Sequence, residues 1–575
     1  MEMRTNPYLV DVYPAKAKFS RGEPVELIVE VGHPADAPAE VELELTVMHL
    51  LQPVETIRRR VTCPARAGTV TVPVTVSPLQ AEVAGYGVDV RLLMDGEEIG
   101  LLSGAFDVAD DWRKAPRYGF LSDFHPDEAG DTEDVLALCK LHINLVQFYD
   151  WMYRHDRLLP PHSPFEDLMG RKLSLDVVRE KIGLCHRFGM KAVAYGAVYA
   201  ASREFLESHP DWALYDSCGR PLHLIDRFFI MNISEGSPWR RHLIDQYRQA
   251  IEALDFDGIH MDTYGFPKTA VSRLDGTSRI ERLDEQFPGL IDETREALKE
   301  TGKDIALIFN NVGNWPVGDA ARANQDVVYI EVWKPYERYH HLRELIAGGR
   351  RDGGGKPVIL AAYLKPFLDE PGERSQTAAL LLTAVIAAHG GGHLLLGERF
   401  GALTQAYYPD YAPLPEAFIR TMRTYYDFIV RYWNLLYDGE LADVSMTHAD
   451  GDNLEYAVEN VPWSTYGEPD RVWIVIREKP GLKTVHLINL VGNDDYWNRG
   501  KHRPSPQRDI RLFILVEERV RSVLIASPDE EMGRPRRAEF SLEDGPRGKR
   551  LVVTVPRLDI WTMIAVELDK DVPMG

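Results

Sequence analysis

Phe256-Asp257-Gly258-Ile259-His260-Met261-Asp262-Thr263-Tyr264-Gly265 holds a short apolar run that ends on a carboxylate and a Tyr-Gly turn. So short a run, bounded by turn residues, reads as a strand buried on both faces, the kind found in parallel sheets. Further on, Val327-Val328-Tyr329-Ile330-Glu331-Val332-Trp333 repeats the pattern, again with a carboxylate near the end and an aromatic beside it. Working outward, eight such strands are predicted, at 118–124, 143–150, 191–198, 258–262, 305–311, 327–333, 357–364 and 391–397. Amphipathic helical stretches fit between them, at 131–141, 174–189, 237–254, 278–302, 336–349 and 375–388, and 413–436 reads as the last helix. Eight β/α units in one run predict a (β/α)8 TIM barrel. The third unit carries a long excursion, 199–236, and long loops of this kind shape substrate sites.

The flanks follow another pattern. Val25-Glu26-Leu27-Ile28-Val29-Glu30-Val31 and Thr69-Val70-Thr71-Val72-Pro73-Val74-Thr75-Val76 alternate apolar and polar residues. Pro and Gly turns separate such runs at the spacing of an immunoglobulin-like β-sandwich. Alternation returns in Arg471-Val472-Trp473-Ile474-Val475-Ile476 and Arg550-Leu551-Val552-Val553-Thr554-Val555, which predicts a C-terminal antiparallel β-sandwich. The expected multidomain layout is therefore a sandwich over 1–110, a barrel over 111–443 and a second sandwich over 444–575. A chain of 575 residues is long enough for three cores.

Composition narrows the partners. A formal charge of -22 disfavours nucleic acid and anionic membrane surfaces, and suits a neutral substrate. Cys63, Cys139, Cys185 and Cys218 are scattered, with no metal-ligand spacing, and read as free thiols. No run is apolar enough to span a bilayer, and the N-terminus has no hydrophobic signal core. The expectation is a cytoplasmic protein if that N-terminus is native, and a secreted one if a signal peptide was removed. The sequence does not indicate an oligomeric state.

In a TIM barrel the chemistry sits at the C-terminal ends of the strands. Asp262 and Glu331 both fall there, and a pair of carboxylates beside aromatics is the equipment of a glycosidase. One acid protonates the leaving oxygen while the other carboxylate attacks or activates water. Other strand ends carry groups suited to hydroxyls and to the apolar face of a sugar: Tyr149, Asp150, Trp151, Tyr195, Tyr264, Asn310, Trp333 and Tyr363. Asp150 and Asp123 are the rival carboxylates. His260 and Asp262 share a strand face, but no His-X-His follows the first strand, and His389 and His393 keep no ligand spacing, so no metal and no cofactor are expected. The triple glycines at 353–355 and 390–392 lack the Lys-Ser/Thr of a phosphate loop and read as turns.

These residues resemble glycoside hydrolase family 66, the family of endo-dextranases and cycloisomaltooligosaccharide glucanotransferases. The resemblance rests on Gln147-Phe148-Tyr149-Asp150-Trp151-Met152-Tyr153-Arg154-His155, Ala194-Tyr195-Gly196-Ala197-Val198-Tyr199, Phe256 to Thr263, Tyr329-Ile330-Glu331-Val332-Trp333 and His486-Leu487-Ile488-Asn489-Leu490. It implies a retaining mechanism on α-1,6-glucan, dextran or isomaltooligosaccharide, with Asp262 as nucleophile and Glu331 as acid/base. Asp262 would then stay ionised while Glu331 needs a raised pKa, with Trp333 as one source of desolvation. The cyclising members carry an inserted carbohydrate-binding domain late in the barrel. Here residues 365–390 leave room for a helix and loops only, so the expectation is an endo-dextranase. A glucanotransferase is the first alternative, and a non-catalytic glucan-binding protein the second.

Overall fold

The computed structural model describes residues 8–32, 38–63, 69–449, 451–545 and 547–573. Its centre is an eight-stranded parallel sheet whose strands lie side by side in chain order. They are β1 (Tyr118–Leu121), β2 (Leu145–Phe148), β3 (Lys191–Ala197), β4 (Gly258–Asp262), β5 (Ala306–Val312), β6 (Val327–Glu331), β7 (Val358–Ala361) and β8 (Gly392–His393). A helix follows each: α1 (Glu133–Lys140), α2 (Leu175–Arg187), α3 (Pro238–Leu254), α4 (Leu283–Leu298), α5 (Val317–Ala320), α6 (Tyr339–Asp352), α7 (Glu373–Ala388) and α8 (Glu416–Arg431). Seven of the eight strand neighbours are joined by ladders, which makes a nearly closed barrel.

Period-two alternation divides each strand between two cores. Val193, Ile308, Val327, Tyr329 and Ile359 point inward, where they meet Tyr118, Phe120, Leu394 and Tyr408. Their neighbours Ala194, Leu307, Phe309, Val328, Ile330 and Leu360 point out to the helices and join the largest core. The seam between β8 and β1 is held by a side chain. The buried Glu398 carboxylate accepts from Ser122 N (2.9 Å), Ser122 Oγ (2.8 Å) and Asp123 N (3.2 Å). Gly119 of β1 sits so close to this segment that a Cβ there would lie 3.2 Å from the Leu396 carbonyl oxygen.

Some elements differ from the sequence reading. The eighth strand is two residues long, because the chain bends after His393 and Leu396 pairs back with Ala402. The helix expected from 278 starts at Leu283. Residues Arg279–Arg282 instead pair antiparallel with Thr269–Ser272, a tertiary pairing that overrides local propensity. The excursion after β3 contains the short strands Ala200–Ala201, Leu214–Tyr215, His223–Leu224 and Phe228–Ile230. With the 269–282 hairpin they form two small sheets that follow the C-terminal ends of β3 and β4.

Antiparallel sheets lie on either side of the barrel in sequence. Before it, a three-stranded sheet (Leu9–Pro14, Val25–Gly32, Thr69–Val76) and a four-stranded sheet (Ala39–His49, Gln52–Cys63, Val83–Met94, Glu97–Ala109) share one buried core. After it, a seven-stranded and a four-stranded sheet share another. The seven-stranded sheet presses Trp473, Val475 and Ile488 into the barrel's outer core, which is why α7 is buried over 13 of its 16 residues. Among the described residues no helix is long and apolar enough to cross a membrane.

Candidate active site

β5 lies between β4 and β6, and the three strands deliver one polar cluster to the mouth of the barrel. The β4–β5 ladder runs from Gly258 beside Ala306 to Met261 beside Phe309, so Asp262 comes level with Asn310. The β5–β6 ladder sets Asn310 beside Tyr329, which puts Glu331 one inward step higher. Asn310 Nδ2 donates to Asp262 Oδ1 at 2.7 Å and to Glu331 Oε2 at 3.0 Å. Two oxygens on one nitrogen cannot lie as far apart as the ~6.5–9.5 Å of an inverting pair, and they suit the ~5–5.5 Å of a retaining one.

The surroundings separate the two carboxyls. Glu331 is buried, and burial and then the Asp262 charge push its pKa up, against opposing hydrogen bonds from Asn310, Tyr363 and Trp333. Asp262 is also raised by burial, but Tyr195 Oη (2.7 Å), Asn310 and the Thr263 N–H all favour its ionised form. The pair therefore keeps its proton on Glu331. Below them His260 is held by Tyr118 Oη (2.8 Å) and ringed by Tyr195 and Tyr329, and burial pushes its pKa down to about 3. It is a neutral packing residue.

The other expected site residues fall into two groups. Tyr149, Tyr195 and Tyr363 gather around the pair: Tyr149 lies 5.0 Å from Tyr195, and Tyr363 lies 5.9 Å from Trp333. Trp333 is 42% exposed, an aromatic face open to solvent beside a buried acid. Tyr264 is half-buried against Tyr199. Asp150, in the turn after β2, adopts the left-handed region (φ 48°), and burial pushes its pKa up to about 7 although Arg171 opposes the shift. Such strain in a polar cleft residue suits a functional position.

Trp151 does not fit its expected role. It is fully buried, its Nε1 donates to the Tyr195 carbonyl (3.2 Å), and its ring packs 4.9 Å from Phe256. No face is left for a sugar, because the turn after β2 sends alternate aromatics to opposite sides. The rival Asp123 accepts from His125 N at 3.0 Å in a local turn. Asn310, expected to bind sugar, instead gives its amide N–H groups to the two carboxylates.

Two contributors were missed. Tyr408, in the loop after β8, stacks on Tyr149 at 4.2 Å and meets the hydroxyls of Tyr329 (3.2 Å) and Tyr363 (3.4 Å). Arg171 donates to the Asp150 carbonyl (2.7 Å) and to Asp167 (2.8 Å), and so fixes the turn that presents Asp150. Neither lies in a periodic segment, and only the Tyr-Tyr-Pro composition of 407–409 hinted at the first.

Groups that could ligate a metal occur elsewhere. His340, His341 and Glu344 cluster on α6, but His341 Nδ1 accepts the Arg338 N–H and Glu344 accepts the Tyr466 hydroxyl. Glu128, Asp131 and Asp134 are already paired with Arg399 and Lys181. A cavity of about 560 Å³ lies at the opposite end of the barrel, beside Trp112, Lys191 and Asp257. Its Lys191 and His186 are both engaged by Asp257, and it is away from the carboxylate pair.

Comparison with known proteins places the chain among relatives. The sequence pattern of glycosyl hydrolase family 66 matches residues 14–565. A cycloisomaltooligosaccharide glucanotransferase of Niallia circulans is 24% identical over 717 aligned positions, covering 98% of this chain and 72% of that protein. A dextranase of Streptococcus salivarius is 24% identical, covering 84% of this chain and 68% of that protein. Among solved structures, a Paenibacillus cycloisomaltooligosaccharide glucanotransferase complexed with cycloisomaltoheptaose superposes with a TM-score of 0.89. It covers 97% of this chain and 99% of that one at 22% identity, a likeness of fold.

Proposed function

This chain belongs to glycosyl hydrolase family 66, and from that premise we propose that it is an endo-acting hydrolase of α-1,6-glucan, releasing isomaltooligosaccharides from dextran. The observation that carries the reading is the single amide nitrogen shared by Asp262 and Glu331, which sets a retaining separation. Asp262 attacks the anomeric carbon while Glu331 protonates the departing glycosidic oxygen. Glu331, now a carboxylate, then takes a proton from water as water opens the glycosyl-Asp262 ester. Tyr149, Asp150, Tyr195, Tyr264, Trp333 and Tyr363 supply the hydroxyl contacts and apolar faces that seat the glucan. The layout we propose is an immunoglobulin-like sandwich over 1–110, the barrel over 111–443 and a second sandwich over 444–575.

Hydrolysis is favoured over cyclisation by the connection from β7 to β8. It holds only the short helix Pro366–Asp369 and α7, with no separate domain. The alignment to the glucanotransferase spans more positions than this chain has residues, so that relative carries segments lacking here. A second reading, glucan transfer, is supported by the coverage, since the transferase aligns with more of this chain than the dextranase does.

The test is turnover on dextran by Asp262→Asn and Glu331→Gln, with circular dichroism as the check on folding. Both variants are expected to fold and to lose activity, Glu331→Gln by about 10²–10⁴-fold. Near wild-type turnover in either would remove that residue from the mechanism.

A further inference from the structure

Asn310 touches both carboxylates and nothing of its own needs explains why. An amide nitrogen carries two hydrogens, and here each is spent on a different acid: Asp262 Oδ1 at 2.7 Å and Glu331 Oε2 at 3.0 Å. Its Oδ1 is buried without a partner, so the carbonyl does not set the side chain's orientation. Turning the amide over would aim that oxygen at two acceptors. The two carboxylates therefore fix the amide, and the amide in turn holds the two carboxyls at one separation. Its shorter bond goes to Asp262, the group that must stay ionised, and its longer one to Glu331.

We propose, on the reading that Asp262 is the nucleophile and Glu331 the acid, that Asn310 is a positioning residue that fixes the two carboxyls relative to each other and to the scissile bond. In the first step the Glu331 proton passes to the glycosidic oxygen as the C1–O bond breaks and an Asp262 oxygen bonds to C1. In the second, the Glu331 carboxylate takes a proton from the attacking water and the C1–Asp262 bond breaks. Asn310 keeps its two donors aimed at the same two groups throughout and needs no rearrangement.

The other ionisable groups around the pair do not compete for this role. Tyr149, Tyr195, Tyr264, Tyr329, Tyr363 and Tyr408 are all pushed up by burial and stay neutral, and His260 stays neutral below Asp262. Asp150, held by Arg171, also titrates nearby.

The experiment compares Asn310→Ala and Asn310→Leu with wild type and Glu331→Gln on two substrates, an isomaltooligosaccharide and a nitrophenyl isomaltooligoside. The second has a leaving group that needs little protonation. Each lost N–H had favoured an ionised carboxyl, so in Asn310→Ala both limbs of the pH–rate profile are expected to move to higher pH, by about half a unit or more. Turnover of the isomaltooligosaccharide is expected to fall roughly ten- to a hundredfold, and that of the nitrophenyl substrate several-fold less. Unmoved limbs with equal losses on the two substrates would overturn the proposal and leave Asn310 a packing residue. If the alanine variant does not fold, the near-isosteric and uncharged Asn310→Leu carries the same two readouts. Glu331→Gln separates the layers of the argument. If it discriminates between the substrates and Asn310→Ala does not, only the Asn310 proposal fails; if it loses activity on neither, the acid assignment fails too.

Discussion

In the proposed mechanism Glu331 must be protonated when the sugar arrives, and its surroundings favour that state. Each carboxyl accepts three hydrogen bonds that oppose burial, but on Glu331 the Asp262 charge adds to burial. The proposed mechanism requires Asp262 ionised and Glu331 protonated. It should rise as pH climbs through the lower titration of the pair and fall through the upper one, a bell-shaped kcat/KM profile. A profile flat across both titrations would contradict the division of roles. The same shift has a stability consequence with a definite sign. The Glu331 pKa is raised on folding, so its protonated form stabilises the fold below the unfolded pKa, and that contribution is lost as pH rises through the folded one. Glu331→Gln should therefore raise Tm by roughly 1–3 °C on the alkaline side and by less in acid. A lower Tm at alkaline pH would count against the buried, raised carboxyl.

Strands β4 and β6 were legible in the sequence because a doubly buried strand is a short apolar run, and the chemistry-bearing residue is the polar one that interrupts it. Asp262 and Glu331 stand out for that reason. Residues in turns were not legible in the same way. Trp151 lies one residue past a strap of aromatics, and nothing local says that it turns inward to Phe256 while Tyr149 faces Tyr408. Tyr408 and Arg171 reach the cluster from loops, where no period indicates direction. Asn310 was noticed at its strand end, but its pairing with two acids depends on the registers of β4, β5 and β6 together. Two substitutions separate the tryptophans. Trp333→Ala should raise KM by roughly 3–10-fold with little change in Tm, as expected for a lost apolar face. Trp151→Ala should cost about 3–5 kcal/mol of stability, as for a buried aromatic. The reverse pattern, measured by kinetics and thermal melting, would exchange their roles.

The first sheets and the barrel are joined by a buried ion pair. Arg117, just before β1, donates to Asp107 Oδ2 at 2.8 Å and Oδ1 at 2.9 Å, and also to the Ala17 carbonyl at 3.0 Å. Both partners are buried, so Arg117→Ala leaves a carboxylate stranded and should cost about 3–5 kcal/mol. An unchanged melting profile would mean that the two regions do not depend on this contact. Around that scaffold the molecule carries a formal charge of -22, which suits a neutral polymer better than an anionic one. The measurement that tests the central claim most directly is digestion of dextran and, in parallel, of starch by the purified protein, with products resolved by size. Linear isomaltooligosaccharides from dextran and nothing from starch is the expected result. No product from dextran, or products from starch alone, would contradict it.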